Sequence, residues 1–125
     1  MGYDLHIVRT LNWVDAADAP ITRDEVSRLI DSDADLEWSA LDYLSMKLED
    51  GQIERFPLIN WRGHPCFWWY QDQITVSSPN EAQIAKAIRV ASALNAYAIG
   101  DDGERYELHR TFLGGEKIKT LRPQN

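Results

Sequence analysis

A chain of 125 residues, 44% hydrophobic and with a single cysteine, Cys66, has material for one core and none for an internal disulfide. Its formal charge of −7 argues against nucleic acid as a partner, which demands clustered Lys and Arg. No apolar run approaches the ~20 residues of a membrane helix, so no membrane partner is expected. The opening MGYDLHIVRT lacks the cationic start and apolar core of a signal peptide, and with the unpaired cysteine this implies a cytoplasmic location.

In chain order, Tyr3, Leu5 and Ile7 alternate with Asp4 and His6, which predicts a strand. Trp13 and Val14 follow in a loop rich in Asp and Ala. Thr22 and Glu25 then spell a capping box, Ile21 can staple onto Val26, and Val26, Leu29 and Ile30 form the stripe of a helix ending near Asp31. The run from Asp31 to Asp42, DSDADLEWSALD, places Asp31, Asp33 and Asp35 at the first, third and fifth positions of a calcium loop. Leu36 stands where that loop needs Gly, however, and Asp42 reaches less far than the usual Glu, so no metal or other cofactor is inferred. From Leu36 to Glu49 the positions of Leu41, Leu44, Met46 and Leu48 fit neither the helical nor the strand period.

Asp50-Gly51 is a turn signal. Ile53 to Trp61 resumes strand character, with Pro57 suggesting an edge or a bulge. Arg62 to Pro65 reads as a loop, and Phe67 to Tyr70 with Ile74 to Val76 as a hairpin around Gln71-Asp72. Ser78-Pro79-Asn80-Glu81 predicts a helix capped by Ser78 and Glu81. Its stripe is Ile84, Ala87, Ile88, Ala91 and Leu94, and Asn95 is a left-handed stop. Tyr97 to Ile99 and Arg105 to Leu108 flank a Gly100-to-Gly103 turn. Thr111 to Gly115 breaks order, and Glu116 to Asn125 is expected to be a frayed basic tail after a single domain spanning residues 1–115. Runs of strands between helices predict an α+β fold: a largely antiparallel sheet of about five or six strands, two or three helices mainly on one face, and one crossover from Ile74 to Ile99.

Candidate chemistry is sparse. His64 and Cys66 stand two apart, but Pro65 between them disfavours a regular strand, and Cys66 beside Phe67-Trp68-Trp69 reads as a buried apolar group. Asp101, Asp102 and Glu104 around Gly103 serve a tight turn before they serve a metal. Two features suit a partner. Residues 1–50 hold 12 acidic and 4 basic side chains, with Asp31, Asp33, Asp35 and Glu37 clustered after the first helix. This is either a solubilising surface or a face for a basic partner. The tryptophans offer Trp61 and Trp69 as interface anchors, or else an aromatic pocket near Trp61, Trp68 and Trp69 belonging to a small ligand-binding domain or enzyme.

Three segments together, MGYDLHIVR with Trp13 after it, ITVSSPNEAQIAKAI, and NAYAIGDDGERYEL, resemble small acidic bacterial proteins similar to the immunity proteins of polymorphic-toxin and contact-dependent-inhibition systems. The resemblance covers both ends of the domain and leaves Leu36 to Glu54 outside it. It implies a protein that is not an enzyme and that binds and neutralises one cognate toxin domain.

Overall fold

The computed structural model describes residues 3–122, without the side chains of 41–44 and 46. Its strands are β1 (Asp4–Val8), β2 (Leu36–Lys47), β3 (Ile53–Trp61), β4 (His64–Tyr70), β5 (Gln73–Ser77), β6 (Tyr97–Gly100), β7 (Arg105–Arg110) and β8 (Glu116–Leu121). They form one antiparallel sheet of eight strands in the order β2-β3-β4-β5-β1-β6-β7-β8. The helices are α1 (Arg23–Ser32) and α2 (Glu81–Ala93), with a 3-10 helix at Trp13–Asp18. The class is α+β, with more strands than the sequence announces. Residues 116–121, expected to fray, are an edge strand paired with β7 from Arg105↔Leu121 to Arg110↔Glu116. Residues 123–125 of that expected tail lie outside the described residues.

β1 lies at the centre of the sheet and is buried on both faces, apolar on one and mixed on the other. Leu5 and Ile7 point into the main core with Ile74, Val76 and Ala98 beside them and Val26, Ile30, Ala87, Val90 and Ala91 of the two helices above. Val8 points the other way and meets Ile99, Ala16 and Trp13, so the 3-10 helix covers part of the opposite face. α2 joins β5 to β6, which flank β1 on either side: this is the crossover read from the sequence.

The caps divide between confirmation and correction. Thr22 and Glu25 close the α1 box in both directions, each bond at 3.2 Å. α2, however, is capped by Asn80 with Gln83, at 2.8 and 2.9 Å, and not by Ser78 with Glu81. The Ser78 amide is already bonded to the Tyr3 carbonyl at 2.6 Å and its φ is +45°, so the chain is still leaving β5 there. Asn95, at φ +53°, is the left-handed stop expected. The Arg62 loop is tighter than expected, because Arg62-Gly63 makes a two-residue turn at φ +53° and +83° and His64 and Pro65 already belong to β4. Gln71-Asp72 turns the same way, at φ +51° and +67°. β2 is a strand throughout, with a register shift between Trp38 and Tyr43, where five steps along β2 answer two along β3, from Ile59 to Pro57. The acidic run is therefore followed by a strand and not by the second helix of a calcium hand. The carboxylate of Asp42, its twelfth residue, lies outside the described residues.

Candidate interaction surface

The acidic run occupies the turn between α1 and β2. Asp33 is built into the fold: its backbone closes α1, its Oδ1 accepts the Asp35 amide at 3.0 Å, and its Oδ2 accepts from Lys86 Nζ of α2 at 2.5 Å. The Lys86 hydrogen bond holds the Asp33 carboxyl below its ordinary pKa despite partial burial. One of the four carboxylates thus anchors α1 to α2, which the charge pattern alone does not reveal. Asp31, Asp35 and Glu37 are exposed. Asp35 faces Arg62 at 3.6 Å, and its carbonyl accepts the Arg62 amide at 2.8 Å, which ties the acidic turn to the β3–β4 turn. Among the described residues, Asp31 and Glu37 have no ion partner.

Trp61 comes into this neighbourhood. It pairs with Leu36 across the ladder and packs half-buried on the core, and the Arg62 guanidinium lies 5.1 Å from the centre of its ring. Trp38, on the next strand, carries Arg23 at 5.1 Å in the same way. Trp69 is placed elsewhere. Its indole N–H donates to the Ile21 carbonyl at 2.7 Å, and its ring packs on the core under the entry to α1. Trp68, one residue earlier, pairs with Thr75 and takes the opposite face, so Trp61, Trp68 and Trp69 do not converge on one pocket. A groove of about 430 Å³ lies instead between α2 and β6–β8, where Arg89 of α2 bonds Glu116 across it.

Two polar constellations escape sequence reading because their members are far apart in the chain. His6, buried in β1, stacks on Trp13 with ring centroids 4.3 Å apart. Its ring nitrogens meet Gln73 Oε1 and Asp101 Oδ1, both at 2.8 Å. Asp101 also accepts the Asp4 amide at 2.9 Å. Burial opposes ionisation of Asp101, but the Asp4 amide and His6 outweigh it and lower its pKa. This cluster fixes the 3-10 helix and the β6–β7 turn onto the open face of β1, with the imidazole covered. The second is Arg9, which reaches the Leu94 carbonyl through Nε at 3.0 Å and the Pro20 carbonyl through Nη1 at 3.0 Å, and bonds the Glu25 carboxylate. It joins the end of α2 to the start of α1. His64 is exposed, whereas Cys66 is half-buried and desolvation pushes its thiol up to about 11, away from nucleophilic reactivity. Among the described residues, no group of three or more His, Cys, Asp or Glu is placed to hold a metal, and no helix is long and apolar enough to cross a membrane.

No protein-family model matches the chain, and neither the curated proteins nor the solved structures contain a match to it.

Proposed function

We propose that this is an immunity-type protein of the bacterial cytoplasm that neutralises a cognate toxin domain by binding it, with the α1–β2 end of the sheet as the docking face. One observation carries this reading. Asp35 stands exposed beside Arg62, which covers the half-buried Trp61, and Asp31 and Glu37 are exposed on either side of it along the chain, giving an aromatic residue with acidic neighbours. A basic toxin surface relieves the repulsion among these carboxylates, and their field speeds encounter more than it slows release. Asp33, which ties α1 to α2 through Lys86, supports this face from behind without being a contact itself, and Trp69, bonded to Ile21 at the other end of α1, is no part of it. The resemblance of the three quoted segments to immunity proteins supports the choice of partner.

The test is a kinetic binding assay with the toxin domain encoded next to this protein's gene, at two salt concentrations. The triple variant Asp31→Asn, Asp35→Asn, Glu37→Gln is expected to associate roughly tenfold more slowly at low salt, with a smaller change in dissociation. Equal association rates without salt dependence would remove the acidic rim from the interface.

A further inference from the structure

The end of the sheet away from the acidic rim carries two features that the proposed function does not use. β2 and β7 run in the same direction, so the β2–β3 and β7–β8 turns lie at one end of the sheet, at its two outer edges. Both hairpins outreach their inner neighbours. The β7–β8 ladder continues past the last β6 pair, Ala98↔Tyr106, for four rungs, from Glu107↔Lys119 to Arg110↔Glu116. On the other side Tyr70, the last residue of β4, reaches Phe56 with ring centroids 5.0 Å apart, and the rungs Ser45↔Arg55 to Lys47↔Ile53 continue beyond it.

The two projections differ in charge at their tips and carry exposed apolar side chains. The tip at residues 48–54 contains Glu49, Asp50 and Glu54, with Lys47 and Arg55 on the rungs behind it, and Ile53 is 67% exposed. The other hairpin carries Arg110, Lys117 and Lys119, and its turn presents Phe112 and Leu113 at 103% and 92% exposure. Its Glu116 is taken by Arg89, which leaves the three cations without an ion partner among the described residues. Both tips are pre-formed. Thr111 and Gly115 close one through bonds of 2.8 and 3.0 Å, and Leu48 with Gln52 closes the other at 2.7 Å. Large apolar side chains held outward on rigid turns mark a docking surface. The outer strands are roughly 34 Å apart at ~4.8 Å per strand, several times the ~8 Å over which salt screens, so the charges of one molecule do not neutralise each other.

We propose that the occupant of this surface is a second copy of the chain. A two-fold axis normal to the sheet at this end sets the acidic hairpin of each copy against the basic hairpin of the other. Both contacts form at once and the assembly closes as an isologous dimer. Ile53 then approaches Phe112 and Leu113 of the partner while Glu49, Asp50 and Glu54 answer Arg110, Lys117 and Lys119. Pairing through the β8 edges is disfavoured, because a two-fold register centred on Ile118 opposes Lys117 to Lys119. An anionic lipid surface suits one tip and repels the other. The acidic rim at Asp31 to Glu37 stays free in this dimer, so the inference stands apart from the toxin reading.

The test is sedimentation of the full chain from roughly 1 µM to 1 mM, the range of weak homodimers. Phe112→Ser with Leu113→Ser is expected to weaken dimerisation at least about tenfold, with circular dichroism unchanged. Lys117→Glu with Lys119→Glu makes both hairpins acidic, and Glu49→Lys with Asp50→Lys makes both basic. Each variant is expected to be monomeric alone and the equimolar mixture to form a one-to-one dimer, a rescue that no merely structural role of these residues provides. A wild-type chain that stays monomeric throughout, a tip variant that dimerises as well as wild type, or a mixture that stays monomeric would overturn the proposal. So would binding of the monomer to phosphatidylserine vesicles that is lost in the tip variant, which would assign Phe112 and Leu113 to lipid.

Discussion

Replacing Glu25 with Gln removes one negative charge and leaves an amide oxygen that can still close the α1 capping box on Thr22. The lost interaction is the one with Arg9. The Arg9 hydrogen bond, followed by the Thr22 amide, lowers the Glu25 pKa from 4.5 to about 2 in spite of burial. Because the folded-state pKa lies below the unfolded one, the stabilisation is complete above pH 4.5 and disappears as pH falls towards 2. At 1.36 kcal/mol per pH unit the whole shift corresponds to about 3 kcal/mol. The Arg9 and Glu25 side chains are 25% and 26% exposed, so solvent screening reduces that figure. About 1 kcal/mol is the appropriate size for a well-formed pair in such a setting. Urea denaturation of wild type and Glu25→Gln at steps from pH 7 downwards tests this. The variant is expected to be about 1 kcal/mol less stable at pH 7, with the gap narrowing below pH 4.5. Asp33 and Asp101, whose pKa values are also lowered, titrate in both proteins and cancel in the difference. A gap that is absent at neutral pH, or that stays constant into acid, would refute the assignment.

The corrected cap of α2 predicts that Asn80→Ala costs about 1 kcal/mol while Ser78→Ala stays within about 0.5, read from urea midpoints; the reverse order would move the helix start back to Ser78. Trp69→Phe keeps the ring on the core but strands the Ile21 carbonyl, for an expected loss of about 1–2 kcal/mol, and an unchanged midpoint would show that the indole bond contributes nothing. With its pKa at about 11 in place of 9.0, Cys66 is expected to be alkylated roughly a hundredfold more slowly at pH 8 in the folded protein than in urea; equal rates would show an accessible thiolate.

The parts of the fold that were legible are those whose signals are local. The Thr22–Glu25 box, the stripe of α2 and the Gly100-to-Gly103 turn each depend on residues within a few positions of one another. The Ser78 error came from two overlapping boxes in SSPNEAQ; the choice between them was made by β5, whose ladder still holds the Ser78 amide. β2 fitted no period because its register shift resets the alternation between Trp38 and Tyr43. β8 passed for a tail because lysines on an edge strand, which discourage unwanted pairing, also compose a solvated terminus. At the candidate interface, Asp35 meets Trp61 through Arg62 while Asp31 and Glu37 are simply exposed, and Asp33 and Trp69 are held by Lys86 and Ile21. Those contacts, like Arg9 with Leu94 and His6 with Asp101, join distant parts of the chain and leave no local pattern.

The central place of β1 also sets the order in which the sheet can be completed. Leu5 waits for Val76, and His6 waits for both Thr75 and Ile99, so the strand made first is among the last to be enclosed. The turns at Arg62-Gly63 and Gln71-Asp72 let β3, β4 and β5 assemble from neighbouring residues long before that. Such distant closure slows folding, since loop entropy is lost before the contacts that offset it are made. During synthesis a largely buried strand, Asp4–Val8, therefore lies open with its Leu5, Ile7 and Val8 side chains until nearly the whole domain has left the ribosome, with chaperones or stray strand edges as its temporary company.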